Sequence, residues 1–242
     1  MIFVGVDGCK KGWFAVKLTD DFEWEVEVFE DIDALWTEFY DAAAILIDIP
    51  IGLKEDGPDE RECDVIARKF LGNKRASSVF RPPCRKAVHS PLDRSSGINF
   101  HITKKRLPLQ TLNIVSKIRQ VDRILSEEKS AKAVIRETHP EICFWALAGR
   151  HPMEYPKKET EGFLERKEIL QSVYPLTQNI VERALTTYRR NEVARDDILD
   201  ALAAAVTAQI GFNRFLTIPE IPPVDSKGLR MEMVYFALGG VG

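Results

Sequence analysis

The chain has 242 residues, 45% of them hydrophobic, which suits one large domain or one domain carrying an insertion, with a real core to bury. Its four cysteines (Cys9, Cys63, Cys84, Cys143) stand apart without a CxxC pair, against a disulfide framework and against a zinc site. The net charge of −3 is unremarkable as a total, no run approaches the ~18 apolar residues of a membrane span, and residues 1–7 enter a strand-like run with no basic leader; the expectation is a cytosolic, soluble protein.

In chain order, "MIFVGVDG" places Ile2, Val4 and Val6 on one face and Phe3 on the other, and reads as a buried strand ending at a glycine turn. "GWFAVKLT", with Phe14, Val16 and Leu18 on one face, and "WEVEVFE" complete a three-strand meander. Ile32, Leu35, Trp36, Phe39 and Tyr40 recur at helical spacing behind Asp31, a candidate N-cap. "AAAILIDIP" is a short apolar strand, expected parallel to the first. A short helix near Asp59 to Leu71 then leads into "GNKRASSVFRPPCRKAVHSPLDRSSG", which reads as a long loop. Leu109 to Ser126 predicts an amphipathic helix, "KAVIRE" (132–137) a fifth strand, and Pro140 the first position of a helix reaching Leu147. Two or three helices follow between Gly162 and Arg190, then the helix of "RDDILDALAAAVTA" and a tail with a candidate strand "MEMVYF". The pattern predicts a mixed α/β sheet flanked by helices, a single domain over 1–242 with a basic helical and loop insertion over 51–131.

Charge is unevenly distributed. Ile66 to Arg106 holds eleven Lys or Arg and one acid, a net +10, leaving −13 for the rest. A basic block on an acidic body suits a polyanion; the alternative is a solvated basic face. Lys74, Arg75, Arg81, Arg85 and Lys86 from this block, and Lys10 and Lys11 from the "DGCKKGW" turn, are the candidate nucleic-acid contacts. Phe80 beside Arg81 adds an aromatic of the kind that stacks on bases, unless it is simply buried.

Acidic residues sit at element ends. Asp7 ends the first strand, Asp48 the fourth and Glu137 the fifth; Asp197 and Asp200 lie one turn apart on the last long helix. Parallel neighbours would bring Asp7 and Asp48 to one edge of the sheet, where open α/β sheets bind ligands. Carboxylates gathered there must hold protons or a cation, and oxygen ligands in this number suit Mg²⁺ or Mn²⁺. Two ions about 3.5–4 Å apart would support phosphodiester hydrolysis. Each residue also has a plainer role: Asp7 starts a turn, Glu137 caps or pairs with Arg136 or a lysine, and Asp196 or Asp197 is an N-cap. His139 either relays protons or touches phosphate, or caps the helix that Pro140 opens, with Glu141 in its first turn.

"GVDGCKKGW", "LIDIPIGL", "CDVIARKFLG", "SSVFRPP", "ETHPE" and "DDILDALAAAVTA" together resemble an uncharacterised domain-of-unknown-function family described as predicted ribonuclease H-like nucleases, over roughly residues 3–212. The last motif is also similar to the end of the Holliday-junction resolvase RuvC, where two acids three apart precede a helix of small residues. The resemblance implies a ribonuclease H-like five-stranded mixed sheet, with Asp7, Asp48, Asp197 and Asp200 as metal ligands. It implies a two-metal nuclease with Glu137 and His139 assisting, and, in a RuvC-like case, a homodimer. RuvC carries a glutamate where this chain has Asp48. Two other readings stand beside this one. A phosphotransferase of the actin or hexokinase type would need a second glycine-rich phosphate loop beyond Gly5 to Gly12. A nonenzymatic nucleic-acid-binding module would keep the fold without turnover.

Overall fold

A computed structural model describes residues 1–238. Strands β1 (Ile2–Cys9), β2 (Gly12–Thr19) and β3 (Trp24–Phe29) form the expected antiparallel meander. Helix α1 (Ile32–Glu38) follows, capped by Asp31, whose carboxylate accepts from Ala34 N. Strand β4 (Ala44–Ile47) runs parallel to β1, and β5 (Ile135–Glu137) parallel to β4. The sheet order β3-β2-β1-β4-β5, part antiparallel and part parallel, is an α/β architecture consistent with the ribonuclease H-like fold.

Side chains alternate across each strand, so the two faces of β1 meet different layers. Val4 and Val6 join Ile45 and Ile47 of β4 in a core under α1 and α5 (Leu109–Glu127). Phe14, Val16 and Leu18 of β2 face the other way, onto α7 (Pro140–Leu147), α8 (Thr160–Val173), α9 (Thr177–Thr187) and α10 (Arg195–Gly211). Helix α10 crosses β1, β2 and β4 and is buried almost all round, which its run of alanines permits. The approach is closest at Gly5: a Cβ there would lie 2.1 Å from both Ala201 O and Ala205 N.

The chain between β4 and β5 differs in detail from expectation. Helix α2 (Glu62–Arg75) is interrupted at Gly72, whose φ of +59° is open to glycine, so the regular part ends near Leu71. The stretch expected as a long loop contains α3 (Arg85–Val88) and the start of α4 (Leu92–Thr103). Asn99, 1% exposed, ties them by accepting from Cys84 N and donating to Lys105 O. Short α6 (Lys129–Val134) takes residues expected in β5, leaving a three-residue strand. In the tail, β6 (Leu216–Ile218) pairs with β7 (Met233–Tyr235), which lies within the expected strand. The four cysteines are free and buried, and among the described residues no helix is long and apolar enough to cross a membrane.

Candidate metal centre

The register that aligns β1 with β4 also aligns their ends. Asp48 N donates to Val6 O at 2.9 Å, setting Asp48 beside Asp7 just past the last paired residues. Asp7 shares the parity of Phe3 and Gly5, and Asp48 that of Leu46, so both project to the α10 side. Asp200 stands on that helix. One carboxylate oxygen from each of Asp7, Asp48 and Asp200 lies within 4.8 Å of the others. They open onto a cleft of about 420 Å³ that also meets Lys117, Lys157, His139 and Phe80.

The cluster is short of positive charge. Burial pushes the Asp7 carboxyl well above the usual carboxylate range, and the charges of Asp48, Asp200 and Asp197 push it further, with Lys157 opposing. Burial also raises Asp48, against the pull of His139 and Lys157. Asp200 is pushed up to about 7 by burial despite its lysine partner. That partner, Lys157 on the loop between α7 and α8, donates to Asp200 Oδ2 at 2.5 Å. Burial disfavours its charge, but Asp200 and Asp7 more than compensate and hold it protonated. The other Asp200 oxygen, Oδ1, is buried with no hydrogen-bond partner among the described residues. An orphaned carboxylate oxygen inside a group of three acids is the donor set a hard divalent cation requires, so these residues could hold a metal ion.

Asp197 stands apart from the three. It is the third residue of α10, and its Oδ2 accepts from Ala194 N at 2.8 Å, tying down the helix start. Burial raises it to about 6, against that backbone bond. Neither Asp196 nor Asp197 is the expected N-cap: that position is Ala194, to which Asp197 bonds back from inside the first turn, while Asp196 lies 3.7 Å from Lys157.

Glu137 also lines the cleft, but its carboxylate is committed to another partner. It pairs in register with Ile47, so it projects to the side of the sheet opposite Asp7 and Asp48. Its carboxylate is gripped by Arg61, at 2.7 Å and 2.8 Å, and accepts from Ile51 N at 2.6 Å. Arg61 also donates to Asp64 and to Ile51 O, closing a buried knot that pins the loop after β4. The expected partner, Arg136, instead meets Glu232. His139 does line the cleft; Nε2 faces Ser78 O at 3.4 Å, Nδ1 is buried without a partner, and the side chain makes no bond to the α7 N-terminus.

The basic residues divide. Arg85 is buried and held by Glu55, Asp122 and Asp225, which removes it from any surface role. Lys11 pairs with Glu192, Lys74 with Glu154, and Arg81 donates to Gly57 O and Asp59 O. Arg75 donates to the carbonyls of Lys74 and Glu154, while Lys10 and Lys86 are exposed. The cations at the cleft are different ones: Arg61, Lys157 and Lys158, and Lys117, whose ammonium lies 4.6 Å over the Trp13 ring and bonds Gly12 O. Lys157 and Lys158 carry a signal only as an adjacent basic pair, and nothing in their spacing connects them to an aspartate 43 residues away.

Residues 5–222 match the model of a family described as a protein of unknown function (DUF429). The chain belongs to that family. No curated protein and no solved structure matches it. The DUF429 match runs through Asp7, Asp48 and Asp200 and so takes in the whole candidate centre.

Proposed function

We propose that this DUF429 protein is a metal-dependent nuclease, hydrolysing phosphodiester bonds of nucleic acid with two Mg²⁺ or Mn²⁺ ions. The observation that carries the reading is the convergence of Asp7, Asp48 and Asp200 from three separate elements around an unpartnered Asp200 oxygen at the end of a cleft. Bound divalent ions would supply Lewis acidity toward a phosphate oxygen and a nucleophilic water at neutral pH. The protein's own residues do the rest. Asp7 is the central ligand, fixed by the Gly8 N–H that donates to its Oδ1 at 2.6 Å. Lys157 holds the Asp200 carboxylate in place and, against its burial, favours its ionised form. Lys117 and exposed Lys158 present charge to a polyanion, and half-buried Phe80 offers a face on which a base stacks.

The Lys157–Asp200 pair also supports a second reading, a nonenzymatic nucleic-acid-binding module in which an internal cation offsets the acids. One experiment separates the two. Single-stranded, duplex and branched DNA and RNA are incubated with the protein in Mn²⁺, Mg²⁺ or chelator. Cleavage that requires metal and disappears in Asp7→Asn is expected. Salt-sensitive binding with every substrate left intact would establish the binding module in place of the nuclease.

A further inference from the structure

A second depression, of about 200 Å³, adjoins the cleft between the start of α10 and the loops that precede α8 and α10. Lys157, Lys158, Arg190 and Arg195 line it, against one acid, Asp196. Asp196 has Lys157 at 3.7 Å, and Lys157 is itself committed to Asp200. That leaves Lys158, Arg190 and Arg195, which make no ion pair and no side-chain hydrogen bond among the described residues. Lys158 and Arg190 are exposed; Arg195 is half-buried, its guanidinium over the Phe163 ring at 5.3 Å, which orients the planar fork without using its N–H donors. The basic block marked by composition differs in this respect, since Lys74, Arg81 and Arg85 have partners within the protein. Three uncommitted cations in one depression, on a chain with a net charge of −3, are a local excess that an anion relieves.

Lys157 and Lys158 line the depression and the cleft alike, so the two sites are continuous. Along α10, Asp196 of the depression and Asp200 of the centre are one turn apart, about 6 Å of helix. A ligand whose anionic groups recur at short intervals along one chain engages both. We infer that the depression holds a non-scissile phosphate of the substrate strand, beside the phosphate at Asp7, Asp48 and Asp200, with Lys158, Arg190 and Arg195 donating to its oxygens. This rests on the nucleic-acid reading above. Two arginine forks and a lysine ammonium match the several oxygens of a phosphate. A contact of this kind carries no sequence preference; it fixes the register of the strand on the carboxylates.

The test compares the full chain as wild type, as the double variant Lys158→Gln, Arg190→Gln, and as Lys86→Gln, which alters an exposed lysine of the compositional basic block. Both side chains of the double variant are exposed, so the fold should survive their replacement. Binding of labelled single-stranded DNA and RNA is measured across a salt series, in chelator and in Ca²⁺. The double variant should bind several-fold more weakly and flatten the plot of log K against log salt by about 0.7, the value for one single-strand phosphate. Lys86→Gln should change neither. An unchanged slope in the double variant, or equal flattening in Lys86→Gln, would overturn the inference and leave the nuclease reading to its cleavage assay. A flattened slope with no cleavage of any strand would keep the phosphate site and remove the nuclease. No strand binding by wild type in either condition would overturn both. Where wild type cleaves, strands carrying one neutral methylphosphonate locate the contact: one position beside the cut should slow wild type and add no penalty in the double variant. The same penalty in both proteins would overturn the assignment of these cations.

Discussion

Lys157 Nζ lies 2.5 Å from Asp200 Oδ2 and 3.7 Å from Asp196 Oδ2, so one lysine from a loop is the direct cationic partner of the most deeply buried acid in the centre. It neutralises Asp200 when no ion does, and it repels any ion that arrives. Lys157→Met should cost the metal-free protein about 1–2 kcal/mol at pH 8. That is below the ~3–5 typical of breaking a fully buried pair, because the lysine side chain is 38% exposed and partly screened. The same variant should bind Mn²⁺ more tightly, on the order of tenfold, since a like charge has gone. Chemical denaturation in chelator and calorimetric titration with Mn²⁺ read the two effects. Weaker Mn²⁺ binding would show that Lys157 organises the ligands more than it opposes the ion.

Asp200 makes the metal-free protein sensitive to pH. Its carboxyl titrates near 7 in the folded chain against an ordinary 3.8, so between those values the folded state holds a proton that the unfolded state has lost. Stability from this group is therefore present at low pH and falls as pH rises through the window, by on the order of a few kcal/mol. Asp200→Asn has no proton to lose, and its stability relative to wild type should increase from pH 5 to pH 8 in chelator. With saturating Mn²⁺ the wild-type trend should reverse, because binding needs the ionised carboxylates. Urea midpoints across that range check the sign; a constant difference between the two proteins would place the Asp200 pKa outside it.

The strand ends carried most of what the sequence could say about the centre. Asp48 closes an apolar strand for no evident structural reason, and Asp200 interrupts a helix of small residues; both become intelligible once β1 and β4 are parallel and α10 lies on Gly5. Glu137 looked equivalent to Asp7 and Asp48, but position at a strand end does not state which face the side chain takes. A three-residue strand paired Ile47 to Glu137 sends it to the far side. Its true partner, Arg61, is 76 residues away, as Asp200 and Lys157 are 43 apart, and charge pairing over such separations leaves no periodic trace. The basic block was visible as composition, yet Arg85 within it is an internal clasp for Asp122 and Asp225.

The Arg61 knot yields a prediction that separates support from chemistry. Arg61→Met leaves Glu137 and Asp64 buried without their shared cation and should cost about 3–5 kcal/mol. Glu137→Gln keeps the shape and removes one charge of the knot, so it should destabilise the fold while leaving the number of bound Mn²⁺ ions unchanged. Thermal melts and Mn²⁺ stoichiometry on the two variants are the measurements. Loss of an Mn²⁺ site in a folded Glu137→Gln protein would return this residue to the metal centre.

Gly5 tests whether the centre depends on how closely α10 lies against the sheet. A methyl group at residue 5 would sit 2.1 Å from backbone atoms of Ala201 and Ala205, which no side-chain rotation can relieve. The helix must move outward, and Asp200, one residue before Ala201, moves with it away from Asp7 and Asp48 on the strands. Gly5→Ala should therefore lose stability by about 1–3 kcal/mol or more, as overpacked cores do, and should also bind Mn²⁺ at least several-fold more weakly although every carboxylate is retained. Ala204→Gly provides the comparison: it removes a buried methyl from the same helix and lowers helix propensity, by about 1 kcal/mol, without forcing the backbones apart. Equal stability loss in the two variants with weakened Mn²⁺ binding only in Gly5→Ala would tie the affinity to the spacing between β1 and α10. Unchanged binding in a folded Gly5→Ala protein would mean that the three carboxylates reach their ion through side-chain adjustment, independent of the glycine contact.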